Sequence, residues 1–316
     1  MTVAVQSEAT SRPRISVIVP AHNAERWIGT CIDALLGQNI ERGSFEILVV
    51  DDASADGTGA QIAARGLSAL HVSDGPRGPY AARNLACAAA RGSIFAFTDA
   101  DCRPTVDWLS EAVAAIETGQ ADLVAGRVLF DLGPTPKPCQ LVDALWHLDA
   151  ERQVRENRGA MTSNLVVHRR VVDGVGPFRE VRSGEDGRWT RSAYDAGFVL
   201  RYVPNAVVCK RARNGRALLK KGWRTGRGLP TVWAARGVAP WKHPLSAVRN
   251  ALPPPLSRIA HQARRRELAQ AMERPLAIWF WTWLLEMTRS AGALSDIFQR
   301  AVSRVVAGPP DASAAD

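Results

Sequence analysis

Two spacings of apolar residues alternate along the first half of the chain. Short continuous runs read as buried strands, and the stretches between them carry apolar residues three and four apart. Ile15 to Val19 is a β-rich run ended by Pro20. Ala24 to Gln38 follows, with Trp27, Ile28, Cys31, Ile32, Leu35 and Leu36 at helical spacing. Glu46 to Val50 is a second strand, leading into Asp51, Asp52, Ala53 and Ser54. Ser54 or Asp56 can cap a helix that begins near Gly57. A short strand over Leu67 to Val72, an alanine-rich helix over Ala81 to Ala90 and a strand over Ile94 to Phe97 come next. Val106 to Thr118 is again helical, with Trp108, Leu109, Val113 and Ile116 on one side. Strands alternating with helices predict a mostly parallel α/β sheet flanked by helices.

The second half is less regular. Pro134, Pro136 and Pro138 mark a link after Asp131. A helix is expected over Gln140 to Glu156, a strand over Met161 to His168 and a helix from Gly184 through Ala196. Two short strands, Phe198 to Val203 and Ala206 to Cys209, follow. Arg216 to Arg236 and Leu256 to Met272 are basic and helical, with Pro253, Pro254 and Pro255 between them. Leu276 to Leu285 is apolar all round apart from Thr282. That run is too short to span a bilayer. It is expected either in a core or flat at an interface, with Arg264, Arg265 and Arg266 on anionic lipid and Trp279, Trp281 and Trp283 at headgroup depth.

Charge adds a partner to this picture. The chain of 316 residues carries +9, and Arg201 to Arg274 holds 17 Lys and Arg against Glu267 and Glu273 alone. So basic a segment implies nucleotide phosphates, a membrane surface or nucleic acid. Cys31, Cys87, Cys102, Cys139 and Cys209 show no metal-ligand spacing, so reduced thiols in a cytosolic compartment are expected. Met1 to Arg14 has no apolar secretory core, and no apolar run reaches the roughly 18 residues of a spanning helix. The expected location is cytoplasmic, with a peripheral place at the inner face of the plasma membrane left open.

Several chemistries lose their support. No G-x-G-x-x-G follows the first strand and no P-loop occurs. No H-x-x-x-H pair and no G-x-S-x-G is present, which argues against a zinc enzyme and a serine hydrolase. What remains is a set of polar clusters at consecutive strand ends: His22 and Asn23, Asp51 and Asp52, and Asp99 with Asp101. In an open α/β sheet these ends share one edge, where ligands bind. Acids there suit a nucleobase, a ribose and a Mg²⁺ or Mn²⁺ ion, although Asp-x-Asp also occurs in ordinary solvated turns. Arg83 and Asn84 open a helix after Gly78, Pro79 and Tyr80, a position that suits a phosphate.

Ile15–Glu25, Val49–Gly57, Gly78–Ala86, Phe97–Pro104 and Gly184–Trp189 together resemble family 2 glycosyltransferases of the GT-A fold. The resemblance runs from about Arg14 to Cys209 in the family's order and spacing. It implies a nucleotide site lined by Pro20, Ala21, Asn23, Glu25, Asp52 and Arg83. By the same resemblance Asp99 faces ribose and metal, Asp101 holds the metal, and Met161 to Asn164 border the donor sugar. Asp186 is the implied catalytic base, with Glu185 beside it. One departure stands out. Many relatives carry a histidine just after the late Pro-x-Ala-x-Val strand, where this chain has Cys209, Lys210 and Arg211. Lys210 or Arg211 is then expected to face the diphosphate, and the third protein ligand to the metal is open.

The implied organisation is a flexible N-terminus over 1–14, a GT-A domain over 15–212, a basic helical region over 213–306 and a disordered tail over 307–316. The nucleotide half of the domain is 15–130 and its acceptor half 140–212. The implied activity moves a sugar from a nucleotide-sugar, a UDP-sugar first, to a hydroxyl acceptor with inversion. The acceptor is a glycan, a lipid-linked precursor or a small molecule. Arg83, with Lys210, Arg224 and Arg227, would add positive charge at the diphosphate. The alternatives are a sugar nucleotidyltransferase and a non-catalytic α/β protein bound to an anionic membrane. A nucleic-acid partner is not expected.

Overall fold

The computed structural model describes residues 12–72, 75–181, 183–235 and 237–307. The expected flexible N-terminus lies outside the described residues as far as residue 11, and so does the expected tail beyond Ala307. The chain first forms β1 (Ile15–Ala21), α1 (Glu25–Leu36), β2 (Phe45–Asp51), α2 (Thr58–Ala63), β3 (Leu70–His71) and α3 (Pro79–Ala89). β4 (Ile94–Thr98), β5 (Cys102–Pro104), α4 (Trp108–Glu117), β6 (Leu123–Asp131), α5 (Pro138–Trp146) and α6 (Ala150–Asn157) follow. Next are β7 (Asn164–His168), α7 (Arg169–Val175), α8 (Glu185–Asp195) and β8 (Leu200–Arg211). The last helices are α9 (Gly215–Gly226), α10 (Leu229–Ala235), α11 (His243–Asn250), α12 (Leu256–Arg265) and α13 (Pro275–Ala307). These elements form two compact units, Met1–Asp131 with Leu148–Arg211, and Leu132–His147 with Ala212–Asp316.

The first unit is built on one sheet of order β3-β2-β1-β4-β7-β6-β8-β5. β1 pairs in parallel with β2 and β4, β2 with β3, and β6 with β8. β7 runs antiparallel to β4 and β6, and β5 antiparallel to β8. Helices cover both faces, which is why the central strands are continuous apolar runs rather than alternating ones. Val17 and Val19 pack with Ile28, Ile32, Leu35 and Trp108 on one face. Ile18, Phe95 and Phe97 pack with Phe178 and Trp189 on the other.

The crevice that matters opens between β1 and β4. The chain runs outward from β1 to β2 and β3, then returns to the other side of β1 as β4. Such a reversal of strand order is where open α/β sheets bind ligands. The ladder between β1 and β2 reaches Ala21↔Asp51, whereas that between β1 and β4 stops at Ile18↔Phe97. Pro20, which has no N–H to donate, therefore falls where β1 no longer has β4 beside it.

The sequence pattern differs from the structure in four places. β6, in the middle of the sheet, was not expected, because Gly126 and Arg127 interrupt its apolar run. The two strands expected near residue 200 are one strand, β8, with a register shift opposite Gly126 and Arg127. A Cβ on Gly126 would lie 2.2 Å from the Ala206 carbonyl oxygen and 2.4 Å from the Asn164 amide, so only glycine fits beneath that bulge. The helix expected over Gln140 to Glu156 divides at Leu148, whose φ is 51°. Asp149 then caps α6 by accepting from the Arg152 N–H. Finally, Pro104 does not simply end a strand. Cys102–Pro104 forms β5, paired with β8 in the register Cys102↔Lys210.

The second unit is helical. Its core gathers Leu141, Val142 and Leu145 of α5 with Leu218, Ile259, Ile278 and Leu285. Asp143 is fully buried and accepts hydrogen bonds from the Arg213 backbone (2.9 Å) and guanidinium (3.1 Å), with His147 Nδ1 at 2.7 Å. Asp143 is thus a buried acid with a cationic partner. The apolar run at Leu276 is the first third of α13, which continues to Ala307. Among the described residues no helix is long and apolar enough to cross a membrane.

Candidate active site

The loops after β1 and β2 are laced together at the C-terminal edge of the sheet. Asn23 sits at φ 49°, donates its backbone N–H to Ser54 Oγ (2.9 Å) and accepts from Ala55 N–H through Oδ1 (2.9 Å). The Ala24 N–H donates to Thr58 Oγ1 (2.8 Å) and the Glu25 N–H to Asp56 (3.2 Å). Ala53 is also left-handed, at φ 55°. Non-glycine residues held in that region persist only where their surroundings fix them, and they concentrate at binding sites. Asp52 is buried, and its two oxygens accept from the Arg77 and Gly78 N–H groups, both at 2.8 Å. It thereby fixes the entry to α3, which delivers Arg83.

Arg83 is 3% exposed and donates to Asp99 Oδ1 at 2.7 Å. Lys210, also 3% exposed, places Nζ 3.0 Å from Asp99 Oδ2 and 2.5 Å from Asp101 Oδ1. The pairing of β5 with β8 brings this about, because it sets Lys210 directly opposite Cys102. Arg211, one residue on, points to the other face of the strand and lies over the Trp27 ring at 5.2 Å. Between Lys210 and Arg211, the two candidates for the diphosphate, it is Lys210 that reaches the acids. Arg224 and Arg227 belong to the second unit, where Arg227 donates to Gln299 at 2.8 Å.

A metal would have to be held by Asp99 and Asp101. Their carboxylates and the Cys102 sulfur lie within 4.8 Å of one another. Burial pushes the Cys102 thiol up to about 12, so it offers a neutral sulfur rather than a thiolate. The oxygen donors that remain fit a hard divalent cation such as Mg²⁺ or Mn²⁺.

Asp186 lies at the start of α8. Its Oδ1 accepts from the Tyr80 hydroxyl (3.2 Å) and the Gly187 N–H (3.0 Å), and no described residue donates to Oδ2. Burial raises its pKa above the ordinary 3.8, opposed by the Gly187 N–H, the Arg83 charge and the Tyr80 hydroxyl. Tyr80 is held from behind by Phe178 (6.0 Å between ring centroids), which packs on Trp189 (4.7 Å). Glu185 is different. It is 1% exposed and bound by Arg179 (3.0 Å) and Arg188. Burial pushes its carboxyl up, but the hydrogen bonds from Arg188 and Arg179 outweigh this and hold it below the ordinary range. A carboxylate so held braces the turn into α8 and is a poor proton acceptor.

Of the residues singled out from the sequence, Arg83, Asp99, Asp101 and Lys210 form one connected cluster. Pro20, Ala21, Asn23, Glu25 and Asp52 sit on the neighbouring strand ends and loops. The structure does not bring the Asn164 side chain to the acids. Its amide is 2% exposed, accepts from Trp108 Nε1 (2.8 Å) and donates to the Arg127 and Ala206 carbonyls (2.9 Å each). It stitches the β6–β8 bulge. Sequence reasoning missed Tyr80 as the partner of Asp186, although Tyr80 lies inside one of the recognised segments. The stack on Phe178 that aims it spans almost a hundred residues and leaves no local mark.

A profile of glycosyl transferase family 2 matches residues 16–140. Glycosyltransferase AglE of Haloferax volcanii is 32% identical over 296 residues, covering 91% of this chain and 97% of the relative. Poly(ribitol-phosphate) beta-N-acetylglucosaminyltransferase TarS of Staphylococcus aureus is 32% identical over 116 residues, 35% of this chain and 20% of the relative. Among solved structures, mannosyltransferase PcManGT of Pyrobaculum calidifontis, in complex with GDP-Man and Mn²⁺, superposes with a TM-score of 0.56 at 21% identity. That match covers 94% of this chain and 81% of the mannosyltransferase. S. aureus TarS 1–349 in complex with UDP superposes with a TM-score of 0.53 at 18% identity, covering 91% and 92%. The fold is therefore GT-A, as the motifs implied, with the sheet of the first unit at its centre. With a relative matched along almost its whole length, the chain belongs to glycosyl transferase family 2 and is a glycosyltransferase.

Proposed function

We propose that this enzyme transfers a sugar from a nucleoside-diphosphate-sugar to an acceptor hydroxyl with inversion, and that Asp186 is the base. The observation that carries the reading is the succession of charges at the β1–β4 crevice. Asp186 faces Arg83, Arg83 binds Asp99, and Lys210 joins Asp99 to Asp101. Positive groups gather where a diphosphate needs them, and one carboxylate oxygen without a donor lies beyond.

In the step itself the acceptor oxygen attacks the anomeric carbon as the bond from that carbon to the diphosphate oxygen breaks. The acceptor proton passes to Asp186 Oδ2, and the electron pair of the broken bond stays on the diphosphate. Lys210 and Arg83 stabilise that charge in a partly dry site, where preorganised donors count most. Tyr80 and Gly187 hold Oδ1, which leaves Oδ2 for the acceptor. A divalent cation held by Asp99 and Asp101 would neutralise the leaving diphosphate as a Lewis acid. The PcManGT complex with GDP-Man and Mn²⁺ and the TarS complex with UDP support this choice of donor class.

Family membership sets aside nucleotidyl transfer. The test is product analysis with labelled UDP-, GDP-, CDP- and dTDP-sugars against lipid-linked and soluble acceptors. The expected outcome is release of a nucleoside diphosphate together with a glycosylated acceptor. Release of pyrophosphate, or no turnover with any donor, would contradict the reading.

A second partner follows from the other unit. We infer that an anionic membrane binds it, through the exposed apolar side of α11. Trp279 and Trp283 are half-buried, and their indoles donate to the carbonyls of Pro254 (2.8 Å) and Ala251 (2.9 Å). Trp281 packs against Gly215. Exposed apolar residues include Trp241, Leu245, Val248 and Leu252, along one side of α11 and its ends, and Leu276 and Phe280 of α13. Lys242 lies over the Trp241 ring (4.9 Å), and Arg249 and Arg258 are exposed nearby in sequence. Aromatic and basic residues mixed in this way suit a headgroup layer. A second copy of so basic a unit would be repelled.

A further inference from the structure

The sequence led us to expect Lys210 beside the diphosphate. The structure puts it somewhere more consequential. Its ammonium is in contact with both carboxylates that would hold a divalent cation, 3.0 Å from Asp99 Oδ2 and 2.5 Å from Asp101 Oδ1, with the Cys102 sulfur at 3.7 Å. The side chain is 4% exposed, whereas those of Asp99 and Asp101 are 30% and 42% exposed. Lys210 thus approaches the acids from the protein side, and its stem, running in from β8, is covered. Divalent cations bind carboxylate oxygens at about 2.0–2.6 Å. A cation sharing those two oxygens would fall close to the same nitrogen.

Charge decides what such a site will accept. Arg83 and Lys210 already pair with the two carboxylates. A divalent ion added alone would bring two positive charges against a buried ammonium that already holds both acids. Added together with a nucleoside diphosphate, the same ion is balanced by the phosphates. The ammonium can then exchange a carboxylate oxygen for a phosphate oxygen without leaving its place.

We infer that Lys210 is a resident counter-cation that keeps divalent metal out of the donor-free enzyme and admits it only with the diphosphate. Lys210 therefore makes metal and nucleotide binding mutually dependent, as coupling between two sites requires. The role of the diphosphate in this inference rests on the function proposed above. The exclusion of metal from the empty enzyme does not.

The test is Mn²⁺ binding by the full-length protein, read from the loss of the free-ion electron paramagnetic resonance signal. With Mn²⁺ alone, Lys210→Met is expected to bind at least tenfold more tightly than wild type, and Lys210→Met/Asp101→Asn to lose that gain. With UDP, GDP, CDP or dTDP added, at least one nucleotide should tighten Mn²⁺ binding to wild type by tenfold or more. If Lys210→Met does not fold, wild type still decides, because tight Mn²⁺ binding without nucleotide overturns the inference. So does equal Mn²⁺ affinity in wild type and Lys210→Met, or no effect of any of the four nucleotides. A failed transfer assay alongside the expected Mn²⁺ result would strike the proposed function and leave the exclusion standing.

Discussion

Asp186 and Glu185 are neighbours with the same functional group and opposite environments. Glu185 is surrounded by arginine donors and held ionised, while Asp186 is half-buried with two neutral donors on one oxygen. Environment, not residue type, separates the brace from the proposed base. The sign of the pH dependence follows. A base must be deprotonated, so activity is lost as pH falls through the raised pKa of Asp186, and the acid limb of kcat/KM lies above the ordinary carboxylate value. The Tyr80 hydroxyl lowers that pKa, so removing it should raise it. Tyr80→Phe is expected to move the acid limb to higher pH in a pH–rate profile, and a limb that moved lower would contradict the role given to Tyr80. At this scale local motifs point to Arg83, Asp99 and Asp101, which the fold joins in one cluster, and to Asp186, which it sets against Tyr80. Asn164 was less legible. A polar residue next to a buried strand reads equally well as ligand contact or as stitch, and only Trp108 and the Ala206 carbonyl, distant in sequence, decide for the stitch.

Elements place these residues through a few tight approaches. β5 is three residues long, yet it fixes Lys210 against the acid pair. No periodicity can reveal so short a strand, since its apolar content is one cysteine and one proline. β6 was hidden for the opposite reason: the glycine that breaks its pattern is required by the bulge beside it. The β1, β2 and β4 strands and their helices were legible because both faces of the sheet are covered and the strands are apolar apart from Ser16, Glu46, Asp51 and Thr98. In the second unit, α9 meets α13 through glycines. A Cβ on Gly226 would lie 2.1 Å from the Arg289 carbonyl oxygen. Alanine is favoured over glycine by helix propensity by about 1 kcal/mol. The clash is with backbone, which no rotamer change relieves, and overpacking typically costs about 1–3 kcal/mol. Gly226→Ala is therefore expected to lower the unfolding free energy by up to about 2 kcal/mol in a denaturant titration. A stabilised variant would show that α9 and α13 are not packed this closely.

For the whole molecule, the uneven charge and the two units describe a division of labour. The sheet unit holds the acid cluster with Arg83 and Lys210. The helical unit carries most of the basic segment and an exposed apolar face. Each Lys or Arg near an anionic surface contributes roughly 1 kcal/mol, so Lys242, Arg249 and Arg258 would add about 3 kcal/mol to what the exposed apolar side chains contribute. In vesicle flotation the protein is expected to rise with anionic vesicles and not with neutral ones. Trp241→Ser/Leu245→Ser should abolish flotation while leaving thermal unfolding unchanged, because both side chains are exposed, at 75% and 68%. Failure to float at any lipid charge would assign the face to another partner. The sequence announced this unit's charge. Three indoles alternating in an apolar run suggest an interface, yet α13 turns Trp279 and Trp283 inward to carbonyls that lie just beyond α11.

Asp186 is the proposed group that takes the acceptor proton. The measurement that reaches it directly is single-turnover transfer by Asp186→Asn at saturating donor and acceptor, beside wild type and Glu185→Gln. Asparagine keeps the shape and can still accept from Tyr80 and Gly187, but it cannot take up a proton. Transfer by Asp186→Asn is expected to fall by roughly 10²–10⁴, the usual contribution of a general base, with nucleotide affinity unchanged. Glu185→Gln should lose stability and far less rate per folded molecule. Near wild-type turnover by Asp186→Asn would show that Asp186 merely caps α8 and that the base is another residue.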